Sequence, residues 1–287
     1  MYSYIVRGGN RLHGEIDISG SKNATLPILA ASILNKDIVK LYNVPNISDV
    51  KTTIEILECL GCKIKKENDK LQINSSNMDG KKIPDELMRK LRSSVILAGA
   101  ILSRFGEVEF SYPGGCDIGS RPIDLHLKSL KKLGVKIEEK AGYITCKCDK
   151  IIGNEIVLDF PSVGATENLM MAALAGRCDT IIENCAIEPE IVDLQGFLRT
   201  LGFQVFGAGT DTIFIKGAHS NGFSSSSIER MYFILEDRIE AATYMAAVMG
   251  TCGRAVFRNI RPNIMKSVLD VYERPYDPLC PVVCLDE

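Results

Sequence analysis

Tyr112-Pro-Gly-Gly-Cys116-Asp-Ile-Gly-Ser-Arg121-Pro122 lies between a predicted strand, Glu107–Phe110, and a predicted helix. A proline and paired glycines make this stretch a loop, and loops at element ends carry function more often than cores do. Cys116 is therefore expected to be exposed. Arg121, close in sequence, would stabilise its thiolate or bind an anion, while Asp117 works against ionisation. The plain alternative is an incidental surface cysteine.

A second candidate is Ser19-Gly-Ser-Lys22-Asn23, just ahead of a helix of small residues. A helix N-terminus bearing Gly, Lys and Asn suits an anion. Arg92, Thr166 (in Ser162-Val163-Gly164-Ala-Thr166) and Arg238 occupy similar places before or within later small-residue helices. Ordinary capping by Ser and Asn is the competing account, and cations at two equivalent helix starts favour phosphate. The three histidines carry less signal. His126 follows Asp124 within a helix and reads as a satisfied polar contact. No two histidines have metal-ligand spacing, so no metal or other cofactor is expected.

The 287 residues suffice for two domains, and at 46% apolar composition a core can form without a membrane. No apolar run approaches the ~18 residues that span a bilayer. The first twenty residues carry Arg7, Arg11, His13, Glu15 and Asp17, unlike a signal peptide. The expected location is the cytoplasm, where ten cysteines read as buried thiols rather than bridges. Formal charge is −2 with both signs dispersed. Nucleic acid, which calls for a basic stripe, is not an expected partner.

What positions these residues is a repeat. Leu60-Gly61, Leu133-Gly134 and Leu201-Gly202 each close an amphipathic stretch: Val50–Leu60, Pro122–Leu133 and Pro189–Leu201. Leu-Gly there reads as a helix end with Gly in the left-handed cap. Short strands follow at Cys62–Lys66, Val135–Glu139 and Phe203–Phe206, then second strands at Lys70–Asn74, Tyr143–Lys147 and Thr212–Lys216. Small-residue helices open the units at Ala24–Leu34, Ser93–Ser103 and Thr166–Ala175, and a fourth at Arg238–Met249. The prediction is α/β: three helix–strand–helix–strand–strand units from about Ser21 to Lys216, a linker at Ser224–Ser227, and a fourth unit that begins near Asp237.

The repeat decides smaller questions. Cys59 and Cys62 bracket the first Leu-Gly, where later units hold Lys132/Val135 and Thr200/Phe203. They are packing residues, not zinc ligands. Cys146 and Cys148 fall on one face of a strand. Gly207-Ala-Gly209 opens a hairpin, whereas a dinucleotide loop must open a helix. The fourth unit's second helix is expected at Asn263–Tyr272, with Leu-Gly near position 272. Arg274-Pro-Tyr-Asp-Pro-Leu-Cys-Pro stands there instead, so that unit reads as unfinished.

Six segments in order resemble UDP-N-acetylglucosamine 1-carboxyvinyltransferases, from about Arg7 to Ser267. They are Gly20-Ser-Lys22-Asn23-Ala-Thr-Leu-Pro, Pro113-Gly-Gly-Cys116-Asp-Ile-Gly-Ser-Arg121-Pro-Ile-Asp-Leu-His126, Pro161-Ser-Val-Gly-Ala-Thr-Glu-Asn168, Glu188-Pro-Glu-Ile-Val-Asp193, Gly207-Ala-Gly-Thr210 and Asp237-Arg-Ile-Glu240-Ala241. The resemblance implies transfer of enolpyruvyl from phosphoenolpyruvate to the 3-hydroxyl of UDP-N-acetylglucosamine, which commits that sugar to peptidoglycan. It implies the enolpyruvyl transferase inside-out barrel, with repeats around a pseudo-three-fold axis and the site in a cleft between two domains. Residues 22–229 would form a complete domain. Residues 1–21 and 230–287 would form part of a second, through which self-association is expected.

Carried over by motif, Cys116 would be the proton donor to the enolpyruvyl methylene. Lys22 would contact phosphoenolpyruvate and Asn23 the substrates beside it. Arg121 would meet the phosphate and the nucleotide. Arg92, Arg121, Pro122, Ile123, Asp124, Leu125, Ser162, Val163 and Gly164 would hold the uridine diphosphate. The chemistry is consistent, since two polyanions need cations and helix N-termini to meet. The family's base is an aspartate in a later Pro-Gly-Phe-Pro-Thr-Asp segment, which this sequence does not contain. Slow turnover, or none, is therefore expected. The alternatives are a sugar-nucleotide-binding remnant without the base, and the shikimate-phosphate enolpyruvyl transferase, which lacks the Pro-Gly-Gly-Cys loop. A frameshift ahead of the missing segment is a further reading.

Overall fold

The computed structural model describes Ile5 and residues 8–114, 123–217 and 229–266. It begins with β1 (His13–Asp17). A first set of elements follows: α1 (Lys22–Ser32), β2 (Ile38–Tyr42), α2 (Ser48–Cys59), β3 (Lys63–Glu67) and β4 (Lys70–Asn74). A short helix α3 (Asp85–Lys90) and a 3-10 turn, Arg92–Ile96, lead to the second set. This is α4 (Leu97–Phe105), β5 (Glu107–Ser111), α5 (Asp124–Lys132), β6 (Lys136–Lys140) and β7 (Tyr143–Lys147). After β8 (Glu155–Val157) comes the third: α6 (Val163–Ala173), β9 (Thr180–Glu183), α7 (Pro189–Thr200), β10 (Val205–Phe206) and β11 (Thr212–Ile215). Then come β12 (Arg230–Phe233), α8 (Arg238–Gly250) and β13 (Arg254–Arg258).

The order helix–strand–helix–strand–strand thus occurs three times. Each helix that precedes a hairpin ends alike. Leu60, Leu133 and Leu201 are the C-caps, followed by Gly61, Gly134 and Gly202 at φ 99°, 85° and 97°. In each, the glycine N–H bonds the carbonyl of Glu58, Lys131 or Arg199 at 3.0 Å. The next residue's N–H reaches Leu57, Leu130 or Leu198. This double bond pattern is the Schellman motif, which satisfies carbonyls the helix leaves over. Cys62 and Val135, which stand one place beyond the glycine, are buried. Cys62 is thus explained by the cap, whereas Cys59, Cys178 and Cys252 are exposed, contrary to the reading of the cysteines as buried thiols.

Three sheets follow the same rule. Within each set the last strand lies between the other two, antiparallel to both: β2-β4-β3, β5-β7-β6 and β9-β11-β10. The open edge of the first strand takes a parallel partner. β9 takes β8, and β5 takes a bridge from Lys82, each from the chain just before its own set. β2 takes β12, from far downstream, while β13 takes β1. These edge strands were not expected from the sequence. An asparagine at positive φ fastens the junction: Asn43 and Asn184, at φ 61° and 55°, donate to Ile234 O at 3.1 Å and Leu158 O at 2.7 Å.

The chain falls into two compact units, Lys22–Leu235 and the described residues of Met1–Ser21 with Glu236–Glu287. β12 stays with the larger because it completes the sheet of β2. The helices α1 and α6 form that unit's centre, with nearly every residue buried. In the smaller unit α8 has similar small residues, but only Ala241 is buried. Asp237 caps α8, accepting from Ile239 and Glu240 N–H at 2.9 Å. Glu240 accepts from Ser19 N–H at 2.9 Å and from Ser19 Oγ, which anchors the residues just before Lys22.

Some boundaries depart from the sequence reading. The predicted helix Ser93–Ser103 is a 3-10 turn running into α4. Ser94 Oγ donates to Leu91 O, a local bond that competes with the α-helical ladder. The strand predicted at Phe203–Phe206 is only Val205–Phe206, because Phe203 is used in the helix cap. The described part of Asn263–Tyr272 is a 3-10 turn, Pro262–Met265. The expected linker Ser224–Ser227 and everything beyond residue 266 lie outside the described residues.

Gly202→Ala isolates the cap's backbone requirement, since nothing stands within 4 Å of the added Cβ. It is expected to cost about 1–2 kcal/mol, read as a lower urea midpoint with unchanged slope. At Gly61 the added Cβ would also meet Asn77 O and Met78 Cα at 3.2 Å. Gly61→Ala should therefore cost more.

Candidate functional site

Lys22 is the first residue of α1 and Asn23 the second. Lys22 is about half exposed and lies 3.6 Å from Asp49, in the first turn of α2. Further along α1, Pro27 has no N–H to give to the carbonyl of Asn23. The helix start thus presents a lysine, first-turn N–H groups and a carbonyl without its usual helical donor.

A second group of residues gathers around Asn168 of α6. Its Oδ1 accepts from Gly99 N–H at 2.5 Å. Its Nδ2 donates to Val95 O at 3.0 Å and lies 3.0 Å from Nδ1 of His126. One amide therefore ties together α6, α4, the 3-10 turn that Arg92 opens, and the first turn of α5. Gly99 has to be glycine, because an added Cβ would overlap Asn168. Gly164 lies close to the ring: a Cβ there would sit 3.0 Å from His126 Cε1 and 3.3 Å from Nε2. Burial, and then the charge of Arg92, push the His126 pKa down to about 4. The imidazole is neutral at physiological pH.

The first turn of α6 is capped by a side chain. Ser162 is the N-cap, and its Oγ accepts from Ala165 N–H at 3.4 Å. Val163 and Gly164 supply the first free N–H groups of the helix, which suit an anion. Asp124 and Leu125 open α5, in the same turn as His126, after the buried Ile123.

The structure therefore brings Arg92, Gly164 and the start of α5 together around His126. It corrects the reading of Thr166. That side chain is fully buried, donating to Ser162 O at 2.8 Å and accepting from Ala186 N–H at 3.1 Å. Its position one turn into α6 makes it part of the packing and not an anion ligand. Cys116, Arg121 and Pro122 lie outside the described residues. His126, read from the sequence as a satisfied contact, uses one ring nitrogen in that way. The Asn168-to-His126 link went unnoticed, though the repeat register of α4 and α6 could have pointed to it.

Other motifs hold the fold. Asp193 accepts from Tyr232 Oη at 2.8 Å and from Leu235 N–H at 3.1 Å, fixing β12 to α7. Thr210 and Gly207 close the β10–β11 turn through a 2.8 Å bond. Burial raises the thiols of Cys62 and Cys185 to about 11 and Cys146 to about 12, so these are poor nucleophiles at neutral pH. Among the described residues no group of three or more His, Cys, Asp or Glu is placed to hold a metal ion. Among them, too, no helix is long and apolar enough to cross a membrane.

The fold is that of solved enolpyruvyl transferases. The enolpyruvyl transferase NikO from Streptomyces tendae matches with a TM-score of 0.71 at 22% identity, over 84% of this chain and 56% of that one. EPSP synthase from Acinetobacter baumannii matches at 0.65 and 17% identity, over 84% of this chain and 54% of that one. The family model described as EPSP synthase (3-phosphoshikimate 1-carboxyvinyltransferase) matches residues 6–274, and the chain belongs to that family. Within it, UDP-N-acetylglucosamine 1-carboxyvinyltransferase 2 of Caldanaerobacter subterraneus subsp. tengcongensis is 47% identical over 271 residues, 93% of this chain and 64% of that protein. UDP-N-acetylglucosamine 1-carboxyvinyltransferase 1 of Symbiobacterium thermophilum is 46% identical over 271 residues, 92% of this chain and 60% of that protein. The chain thus spans 60–64% of the length of these two relatives.

Glu167, beside Asn168, gives a pH test of this region. It is 2% exposed, and burial, followed by the charges of Glu190 and Glu188, raises its pKa well above the usual carboxylate value. A raised carboxylate favours the folded state below its unfolded pKa, and that contribution is lost as pH rises through the folded pKa. Glu167→Gln removes the ionisation. Its melting temperature should exceed wild type at pH 8, and the gap should narrow toward pH 5.

Proposed function

We propose that this chain takes part in transfer of enolpyruvyl from phosphoenolpyruvate to the 3-hydroxyl of UDP-N-acetylglucosamine, the first committed step of peptidoglycan synthesis. The observation that carries this reading is the 43–47% identity, over most of the chain, to relatives of that name. Arg92 and the first turns of α5 and α6 would hold the uridine diphosphate. The reading ranks above shikimate-phosphate chemistry because the solved EPSP synthases share only the fold, at 16–17% identity.

In this reading Cys116 protonates the enolpyruvyl methylene carbon as the sugar hydroxyl attacks its neighbour. Lys22 and Arg121 hold the phosphoenolpyruvate phosphate. Asn23 lies beside them. Arg92, Arg121 to Leu125 and Ser162 to Gly164 hold the nucleotide. Paired cations and helix N-termini offset the repulsion between two polyanionic substrates. We further infer that Lys22–Leu235, longer than the 22–229 read from the sequence because β12 completes the sheet of β2, forms a complete domain of three repeats around a pseudo-three-fold axis, an inside-out barrel, with the flanking residues part of a second. The pairing of β12 with β2, which gives the first set the parallel edge partner that the third has from β8, supports a closed ring of sets. Both substrates are water-soluble phosphates, which suits the cytoplasm.

The test is labelling and binding with purified protein. An epoxide electrophile should modify Cys116 ahead of the other nine cysteines, faster with UDP-N-acetylglucosamine present, and Cys116→Ser should abolish the adduct. Equal labelling across the cysteines would count against a special role for Cys116. Arg121→Ala and Arg92→Ala should each weaken sugar-nucleotide binding by about 1.5–3 kcal/mol. Calorimetry without heat or competition at millimolar ligand would overturn the nucleotide assignment. Phosphate release that depends on Cys116 would establish turnover.

A further inference from the structure

His126 has two ring nitrogens, and the structure accounts for one of them. Nδ1 faces the Asn168 amide at 3.0 Å. Which end of that amide faces the ring is fixed by two backbone groups. Gly99 N–H can only donate, so the atom 2.5 Å from it is the amide oxygen. Val95 C=O can only accept, so the atom 3.0 Å from it is the amide nitrogen. The NH2 group is thus turned toward His126, and Nδ1 must accept. A neutral ring that accepts at Nδ1 carries its proton on Nε2. Nε2 lies on the Gly164 side of the ring. Among the described residues no hydrogen-bond partner occupies it.

We propose that Asn168 is a positioning residue: it holds His126 as the neutral Nε2–H tautomer, so that His126 donates to the diphosphate of a bound sugar nucleotide beside Arg92 and the first turn of α6. The inference rests on the nucleotide reading above and adds two residues to it. A protonated ring would set an N–H donor against the Asn168 NH2 group, and it would lie close to the Arg92 charge. Arg92 and Asn168 therefore both disfavour the imidazolium. The donor is preorganised, because Asn168 is buried and committed at three points. Gly99 and Gly164 are the two places where a side chain would displace it.

Two measurements on the full chain decide it. In a nitrogen-15 correlation spectrum at pH 7, His126 should show an unprotonated Nδ1 and a protonated Nε2. Asn168→Asp keeps the acceptor for Gly99 but presents oxygen to the ring, so the proton should move to Nδ1 or the ring should become a cation. Calorimetry with UDP-N-acetylglucosamine should show a loss of about tenfold for His126→Phe and for Asn168→Asp. Asn168→Asp added to His126→Phe should cost less than twofold more. A full further loss in the double variant would mean that the new charge acts through space, and the positioning role would fall. So would a wild-type ring protonated on Nδ1. If Asn168→Asp does not fold, unchanged affinity in a folded His126→Phe still overturns the donor role. Wild-type protein that binds neither UDP-N-acetylglucosamine nor UDP overturns the nucleotide reading itself, whatever the tautomer.

Discussion

The approach of α4 to α6, with Gly99 against Asn168, is the contact on which the rest of the larger unit's site depends. A buried amide left unpaired would cost on the order of 1–3 kcal/mol per group. Asn168 avoids that cost only because a glycine lets it reach the backbone of α4. Once there, its other end secures Val95 O and the ring of His126. The 3-10 turn that starts at Arg92 and the first turn of α5 are thereby placed against the start of α6. Packing and polar satisfaction thus act together, in a core whose small side chains would otherwise specify helix positions weakly.

The sheets add a second constraint. Three strands in the order first-third-second leave the first strand with an exposed row of backbone groups, a hazard for misassociation. Each set covers that edge with a short parallel strand or bridge. Two of these covers come from the adjacent chain, but β12 and β1 serve sets far from their own position in the sequence. The asparagines that follow β2 and β9 accept a left-handed backbone and use their side chains to hold the cover in place. In the second set no asparagine stands there. Ser111 to Leu133 is four residues longer than Tyr42 to Leu60 or Glu183 to Leu201, and the extra length falls between β5 and α5, the stretch of sequence that contains Cys116.

Leu-Gly was legible because its mechanism is local. A helix end needs a left-handed residue, glycine supplies it, and three instances at similar spacing disclosed the repeat. The hairpins after each Leu-Gly were legible for the same reason. What the sequence hid was non-local. β8 and β12 have too few residues to show alternation, and they are strands only because an edge awaits them. Thr166 looked like an anion ligand because its place in the repeat was matched to Arg92, whereas burial one turn into α6 commits its hydroxyl to the backbone. His126 could not be assigned a tautomer from sequence, since that depends on which way an amide from another helix is turned. The motif ending in Asp193 is one of the six that carry the resemblance, with no role assigned to it. Its aspartate ties β12 to α7, with Tyr232 lying against Phe197 edge to face at 5.2 Å.

The long-range cover of β2 has a consequence on the ribosome. Asn43, just after β2, and its acceptor Ile234 are separated by 191 residues. At roughly 5–20 residues per second, synthesis of that stretch takes about 10–40 s. Once β4 (Lys70–Asn74) has been made it can pair with β2, but until Ile234 follows the outer edge of β2 has no native partner. The nascent chain therefore carries an open strand edge throughout that stretch of synthesis. Chaperones that hold the nascent chain would act on this early segment, long before the residues that close it have been made.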